Sequence, residues 1–329
     1  MTASATPETA DSAAPAKPDS LVTVLVAFGA NLLIAIAKTI AAVMTGSASL
    51  VAEAAHSWAD AGNEIFLLIA DRRSGRRRDL SHPLGYGREA YVWSMFAAFG
   101  LFSAGAIVSI WHGFTELLDP EPATNYPIAY IVLAIAFVLE GVSFLQALRQ
   151  TRKAAESLNR QPIWHILNTS NPTLRAVFFE DSAALVGLII AGAGVGLHQL
   201  TGSPTPDAIG SILVGLLLGV VAVVLIDRNR RFLVGEEVDP VVRGAVLTGL
   251  IQHREIDRVT YLHLEFVGPG RMYLVAAIDM TGDEAEHDLA VRLRRVEREL
   301  EKNDNVEEAV LTLSTADEKS LLPPEPAGA

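Results

Sequence analysis

The chain has 329 residues, of which 50% are hydrophobic and only 19% charged, and its mean hydropathy of +0.31 leaves too little charge to clothe a soluble surface of this size. Cysteine is absent, which excludes disulfides, thiolate catalysis, iron–sulfur clusters and Cys-type zinc fingers. The net charge of −12 argues against nucleic acid as a partner, and the excess acid sits at one end: residues 21–234 hold 15 basic and 15 acidic side chains, residues 235–329 hold 10 and 20.

Residues 1–20, rich in Ala, Pro, Ser and Thr, read as a disordered arm. No basic n-region precedes an apolar core there, so they do not read as a signal peptide. Six apolar stretches follow: Val22–Met44, Ser47–Ala70, Ala90–Phe114, Ile128–Ala147, Ala176–Leu197 and Ala208–Ile226. Each approaches the ~20 residues that a spanning helix needs. Six such runs folded as a soluble core would leave no polar surface, so residues 21–227 are expected to form six transmembrane helices. The connections alternate in charge. Arg72, Arg73, Arg76, Arg77, Arg78 and Arg88 follow the second stretch, Arg149, Arg152, Lys153 and Arg160 the fourth, and Arg228, Arg230 and Arg231 the sixth. The other three connections hold no Lys or Arg, and one carries Glu116, Asp119 and Glu121. The positive-inside rule then places both termini in the cytoplasm.

From Asp239 the pattern changes. Asp239–His253 reads as a short helix, and Val259–Val267 and Met272–Met280 alternate as strands joined by Gly268-Pro269-Gly270. Asp283–Lys302 is an amphipathic helix with Leu289, Leu293, Val296 and Leu300 on one face, and Val306–Leu313 is a last strand. The order αββαβ over residues 235–315 predicts a small cytoplasmic α+β domain of ferredoxin-like type, followed by a disordered tail, 316–329.

Ionisable groups inside a spanning helix are expensive, so each is a candidate for function. The second stretch holds Glu53, His56, Asp60 and Glu64, whose spacings of three, four and four keep them within ~80° of arc. His56 and Asp60 stand one turn apart near the middle of the span, and an imidazole with a carboxylate at that spacing can close on one divalent cation. A hydrogen-bonding seam between helices is the other reading, more so for Glu53 and Glu64 near the helix ends. The fifth stretch adds Glu180 and Asp181, which diverge by ~100° on a regular helix, so that one faces the site and the other pairs elsewhere unless a π-bulge swings both to one side. Two adjacent acids also suit a helix N-terminus. Asn31, Lys38 and Glu140 are further buried candidates, with Glu140 a partner for Lys38.

These residues resemble a known family. The run Gly46-Ser47-Ala48-Ser49-Leu50-Val51-Ala52-Glu53-Ala54-Ala55-His56-Ser57-Trp58-Ala59-Asp60 resembles the second helix of cation diffusion facilitators, with a TGS start and then HSxxD. His82-Pro83-Leu84-Gly85-Tyr86-Gly87-Arg88 resembles the HPFGYGR loop of the same family. The resemblance covers about residues 21–315 and implies six spans, a cytoplasmic domain, a homodimer in the bilayer, and export of Zn²⁺ or a related divalent ion in exchange for protons. It implies His56 and Asp60 as metal ligands, with two more from an (H/D)xxxD pair on the fifth helix. Asp181 matches the final Asp; four residues earlier stands Val177, which cannot bind metal. Glu180 is the candidate replacement, and Glu64 or a water are the others. The run Glu180-Asp181-Ser182-Ala183-Ala184-Leu185 resembles the subgroup near the vertebrate zinc transporter nine.

Some family members bind zinc in the loop after the second helix. Asp79 and His82 match two of those ligands, Tyr86 stands where a second His would be, and the surrounding arginines oppose a cation. His82-Pro83 reads equally as a turn that orients the third helix. His253, His263 and His287 of the soluble domain lack partners at zinc-site spacing and read as surface or core histidines. The resulting expectation is a proton-coupled exporter of a divalent cation, Zn²⁺ before Mn²⁺, Fe²⁺ or Co²⁺, with no permanent cofactor and no enzymatic activity. The substitution at Val177 motivates a transport-poor scaffold as the alternative; a membrane metalloenzyme is disfavoured, since no HExxH pattern is present.

Overall fold

The computed structural model describes residues 21–120, 123–157 and 161–322. The expected arm 1–20, residues 323–329 of the expected tail, and the loop charges Glu121 and Arg160 lie outside the described residues. Each apolar stretch forms a helix: α1 Leu21–Thr45, α2 Ala48–Ser74, α3 Glu89–Ala97 running on into α4 Ser103–Leu118, α5 Tyr126–Ser157, then, after a short α6 Pro162–Asn168, α7 Pro172–Thr201 and α8 Thr205–Val234. Helices are the outcome expected of such runs, because in lipid every backbone N–H and C=O must find its partner within its own segment. Ser47 caps α2 by accepting from Leu50 N, and Asn171 caps α7 by accepting from Leu174 N. A π-helical turn, Ala98–Phe102, joins α3 to α4, so the two form one span.

Among the described residues five segments are long and apolar enough to cross a membrane: Phe28–Thr45, Glu89–Leu118, Tyr126–Glu156, Pro172–Thr201 and Thr205–Val234. Helix α2 matches them in length with 27 residues, but carries the stripe of ionisable groups. It is the central helix, packing on α1, α4, α7 and α8. The contacts are made largely by small side chains, such as Ala59, Ala98, Ala106, Ala176, Ala183 and Ala222 in one buried cluster, which let backbones approach closely. The start of α2 is fastened to the first turn of α8. Asp207 accepts from Ser47 Oγ at 3.0 Å, Ala48 N at 2.8 Å and Ser49 N at 3.3 Å. A buried carboxylate there meets both the unpaired N–H groups and the positive end of the α2 dipole.

The C-terminal part follows the expected order: α9 Pro240–Ile251, β1 Ile256–Gly268, β2 Arg271–Met280, α10 Glu286–Leu300 and β3 Val306–Leu313. Strand β2 is central, antiparallel to β1 and parallel to β3, the latter joined through α10. Every second residue of β2, from Met272 to Met280, is buried, and Leu289, Leu293, Val296 and Leu300 of α10 cover that face with Leu247 and Leu250 of α9. After β3 the chain stays on the sheet: Leu321 N donates to Val259 O at 2.7 Å, and Arg258 donates to Thr315 O and Glu318 O.

The β1–β2 turn docks on the bundle. Arg88 pairs with Glu265, Ser170 Oγ accepts from Gly270 N at 3.0 Å, and the rings of Phe232 and Phe266 meet at 5.7 Å. Gly87 lies so close to the turn that a Cβ there would stand 2.5 Å from Val267 O and 2.7 Å from Gly268 Cα, which only glycine tolerates. The sheet therefore sits at the α3 start, and the α1–α2 turn and the start of α8 lie at the far end of the bundle.

Candidate metal centre

The polar stripe of α2 faces inward. Glu53, His56, Asp60 and Asn63 are buried between neighbouring helices, and Glu64 is half-buried. Asn63 lies only ~20° beyond His56 on the helical wheel, which makes it a fifth member of the stripe that a search for ionisable residues passes over.

His56 Nε2 and Asp60 Oδ1 stand 3.4 Å apart. Neither atom has a hydrogen-bond partner, and neither does His56 Nδ1. Buried polar atoms are nearly always paired, so a facing imidazole and carboxylate left this way form a site with donor capacity to spare. The Asp60 carboxyl also meets the carboxyl of Glu180 from α7. Asp60 is the shared electrostatic neighbour of His56, Glu64, Glu140, Glu180 and Asp181, contributed by α2, α5 and α7. The donor set is one imidazole nitrogen with carboxylate oxygens, the combination that suits Zn²⁺ and its first-row neighbours. Among the described residues no three His, Asp or Glu side chains are closed about one point where an ion would touch all of them.

Helix α7 is regular through Glu180 and Asp181, without the π-bulge considered for it, so the two acids diverge. Glu180 accepts from Asn63 Nδ2 at 2.6 Å and lies on the α2 side, while Asp181 accepts from Ser143 Oγ of α5 at 2.7 Å. Val177 is packed in the apolar cluster with Ala59, Leu218 and Val221. Glu64 accepts from Asn31 Nδ2 of α1 at 2.6 Å.

Lys38 is paired with Glu53, not with Glu140: Nζ and Oε2 are 2.9 Å apart and the two residues are 1% and 0% exposed. Glu140 is a second electrostatic neighbour of the ammonium. A buried charge with a partner in hydrogen-bonding contact avoids most of the desolvation cost that it would otherwise carry.

The loop acids do something else. Asp79 accepts from Ser81 Oγ at 2.6 Å, Ser81 N and His82 N at 2.9 Å, and Tyr86 Oη at 2.8 Å. His82 Nδ1 is 3.8 Å from Asp79 Oδ1, and the His82 ring stacks on Tyr86 at 3.9 Å. Asp79 thus organises the turn leading into α3 by the hydrogen bonds of an Asx turn. Hydrogen bonding from Ser81, then Tyr86, holds its carboxyl well below the usual carboxylate range. In the C-terminal domain, His253 lies 3.6 Å from Glu299 and His263 lies 3.8 Å from Glu265.

An apolar helical bundle around buried ionisable groups, joined to a small sheet domain, defines an integral membrane protein. Residues 24–234 match the cation efflux transmembrane domain model. The chain belongs to the cation efflux family, which is the cation diffusion facilitator family of the helix and loop motifs. It is 36% identical over 259 residues to metal tolerance protein C4 of Arabidopsis thaliana, covering 77% of this chain and 57% of that protein. It is 34% identical over 260 residues to the human mitochondrial proton-coupled zinc antiporter SLC30A9, covering 79% of this chain and 46% of that one. With zinc transporter ZitB of Pectobacterium atrosepticum it shares 24% identity over 290 residues, 88% and 84% of the two chains. The chain spans about half the length of the first two relatives, and it resembles the SLC30A9 subgroup.

Proposed function

We propose that the protein exports a divalent cation, Zn²⁺ as first choice, by exchange with protons, and that His56, Asp60 and Glu180 hold the ion, with Asp181 and Glu64 within reach as the helices shift. The observation that carries this reading is the pair of unpartnered atoms His56 Nε2 and Asp60 Oδ1, buried at the centre of the bundle and met by Glu180. The relative named as a zinc transporter and the one named as a proton-coupled zinc antiporter support the choice of ion and of coupling.

The ion is the substrate. Its ligands must be deprotonated to bind, so loading on the cytoplasmic side releases protons, and protonation of the imidazole and carboxylates on the other side ejects the ion. Rocking of the helices around a fixed site supplies the alternating access. Lys38 neutralises Glu53 and keeps that carboxylate from competing for the ion. Both termini face the cytoplasm, on the Arg and Lys asymmetry of the loops, and the working unit is a homodimer in a cell membrane, the plasma membrane in a bacterial cell. The acidic soluble domain raises the local cation concentration.

The test is uptake into proteoliposomes of Zn²⁺, Mn²⁺, Co²⁺ and Fe²⁺ offered singly and in competition. Zn²⁺ uptake that exceeds the others and is lost in His56→Ala supports the reading. Preference for Mn²⁺ would assign the oxygen ligands the larger share, and absence of flux for every ion would leave a scaffold that keeps the family fold.

A further inference from the structure

The chain treats its arginines in two ways. In the C-terminal domain every arginine except Arg298 lies beside a carboxylate, as Arg258 does with Asp279 at 2.9 Å and Arg271 with Glu307 at 3.2 Å. At the sheet end of the bundle the pattern stops. Arg72, Arg73, Arg76, Arg77 and Arg78, which close α2 and follow it, are exposed, and among the described residues no carboxylate pairs with them. Arg149 and Arg152 near the end of α5 are exposed and without an ion pair in the same way. Of the acids in and beside these segments, Asp79 is taken up by its own turn and Glu89 by Trp93 Nε1 at 2.7 Å. Asp71 and Glu156 leave a large positive excess.

These charges share one depth. The starts of α2, α5 and α8 are level at the far end of the bundle: Asp207 of α8 receives Ser47 Oγ, and Thr124 N before α5 donates to Thr45 O at 2.8 Å. At about 1.5 Å per residue, Arg72 lies ~38 Å along α2 from Ser47, and Arg149 ~35 Å along α5 from Tyr126. A bilayer has a hydrocarbon core of ~30 Å and measures ~40–45 Å with its headgroups, so both charges fall in the headgroup layer. Two of the guanidinium groups are held by aromatic faces, Arg76 at 4.3 Å from the Tyr86 ring centre and Arg73 at 5.9 Å from that of Trp93. Stacking occupies the face of a guanidinium and leaves its in-plane N–H donors free for phosphate oxygens. Leu80, two residues past Arg78, is fully exposed. Basic side chains with a projecting apolar one are the combination that holds a segment to a charged lipid surface.

We propose that this rim binds the headgroups of anionic phospholipids, with Arg72, Arg73, Arg77 and Arg78 donating to phosphate and Leu80 inserted among the acyl chains. The ligand carries a net negative charge, because a zwitterionic headgroup sets its own ammonium against the arginines. The inference needs only the membrane-spanning bundle and is independent of which ion is carried.

The experiment is native mass spectrometry of the full-length protein in detergent, offered phosphatidylglycerol and phosphatidylcholine of equal chain length in equal amounts. Wild type is expected to retain phosphatidylglycerol at least about tenfold better, a margin that four basic side chains at a charged lipid surface exceed, and to lose it as salt is added. Arg72→Gln/Arg73→Gln/Arg77→Gln/Arg78→Gln should abolish the preference. The chain has no cysteine, so Leu80→Cys gives a single labelling site that leaves the arginines in place. A fluorophore there should be shielded from a water-soluble quencher in phosphatidylglycerol bilayers and accessible in phosphatidylcholine bilayers. Wild type without a preference, a preference that survives the fourfold variant, or a label equally accessible in both bilayers overturns the inference. A fourfold variant that shifts the oligomeric state, with no lipid preference in wild type, overturns it as well and assigns the rim to the acidic domain of a second copy.

Discussion

Glu180 and Asp181 are neighbours in the chain and serve different helices: Glu180 accepts a hydrogen bond from Asn63 on α2, and Asp181 accepts one from Ser143 on α5. A regular helix separates adjacent side chains by ~100°, so only Glu180 reaches the Asp60 carboxyl directly. The expected consequence is asymmetry. Glu180→Gln should weaken Zn²⁺ binding by about tenfold or more, a loss of at least ~1.4 kcal/mol, and Asp181→Asn by less. Titration of both variants against wild type checks this; a larger loss in Asp181→Asn would reverse the assignment.

The Lys38–Glu53 pair gives a stability prediction. Lys38→Met leaves the Glu53 carboxylate buried without its ammonium, a change that costs ~3–5 kcal/mol when a buried pair is broken from one side. Lys38→Met with Glu53→Gln removes both charges and should recover most of that loss. Thermal unfolding in detergent distinguishes the two, and a double variant no more stable than the single one would mean that the pair is not acting as a unit.

Much of this arrangement was legible in the sequence, and the gaps have physical causes. The stripe Glu53, His56, Asp60, Glu64 was readable because charged residues in an apolar helix stand out and the helical period is fixed. Asn63 was not, because an amide in a span carries no such signal, although its angular position beside His56 would have included it. The partner of Lys38 was misassigned to Glu140, since the rotation of α1 against α2 and α5 is set by packing that no local pattern encodes. The same holds for the docking of Gly87 on the β1–β2 turn, a contact between residues about 180 apart in the chain. The C-terminal domain was read well because its strands alternate and its last helix is strongly amphipathic. Its first strand begins at Ile256, ahead of the expected Val259, because the polar pair Asp257 and Arg258 interrupts the alternation.

Asp207 should act as the outer clamp of α2. It receives Ser47 Oγ, Ala48 N and Ser49 N, and an amide in its place has one oxygen to accept with instead of two. Asp207→Asn should therefore lose ~1–3 kcal/mol, the cost of a buried donor left unpaired, and lower the unfolding temperature. An unchanged transition would show that the helix start is held by packing alone.

The turn before α3 should persist in acid. Asp79 is held below the ordinary carboxylate range, so its contribution to the fold is fully present above the unfolded value of about 3.9 and fades only as pH falls through the lower folded value. Carboxyl NMR of Asp79 should show it still ionised at about pH 3.9, where an ordinary aspartate is half protonated. Tyr86→Phe removes one of the donors and should move the titration up. A midpoint at the ordinary value in the unsubstituted protein would contradict the hydrogen-bonded turn.

The central claim is that protons and a divalent cation compete for His56, Asp60 and Glu180. It is tested most directly by Zn²⁺ uptake into proteoliposomes, with the lumen either at the outside pH or made more acid, for wild type and Asp60→Asn. The account predicts that the acid lumen accelerates uptake by wild type and that Asp60→Asn takes up no Zn²⁺ under either condition. Uptake by wild type that ignores the pH gradient, or uptake that survives Asp60→Asn, would contradict it.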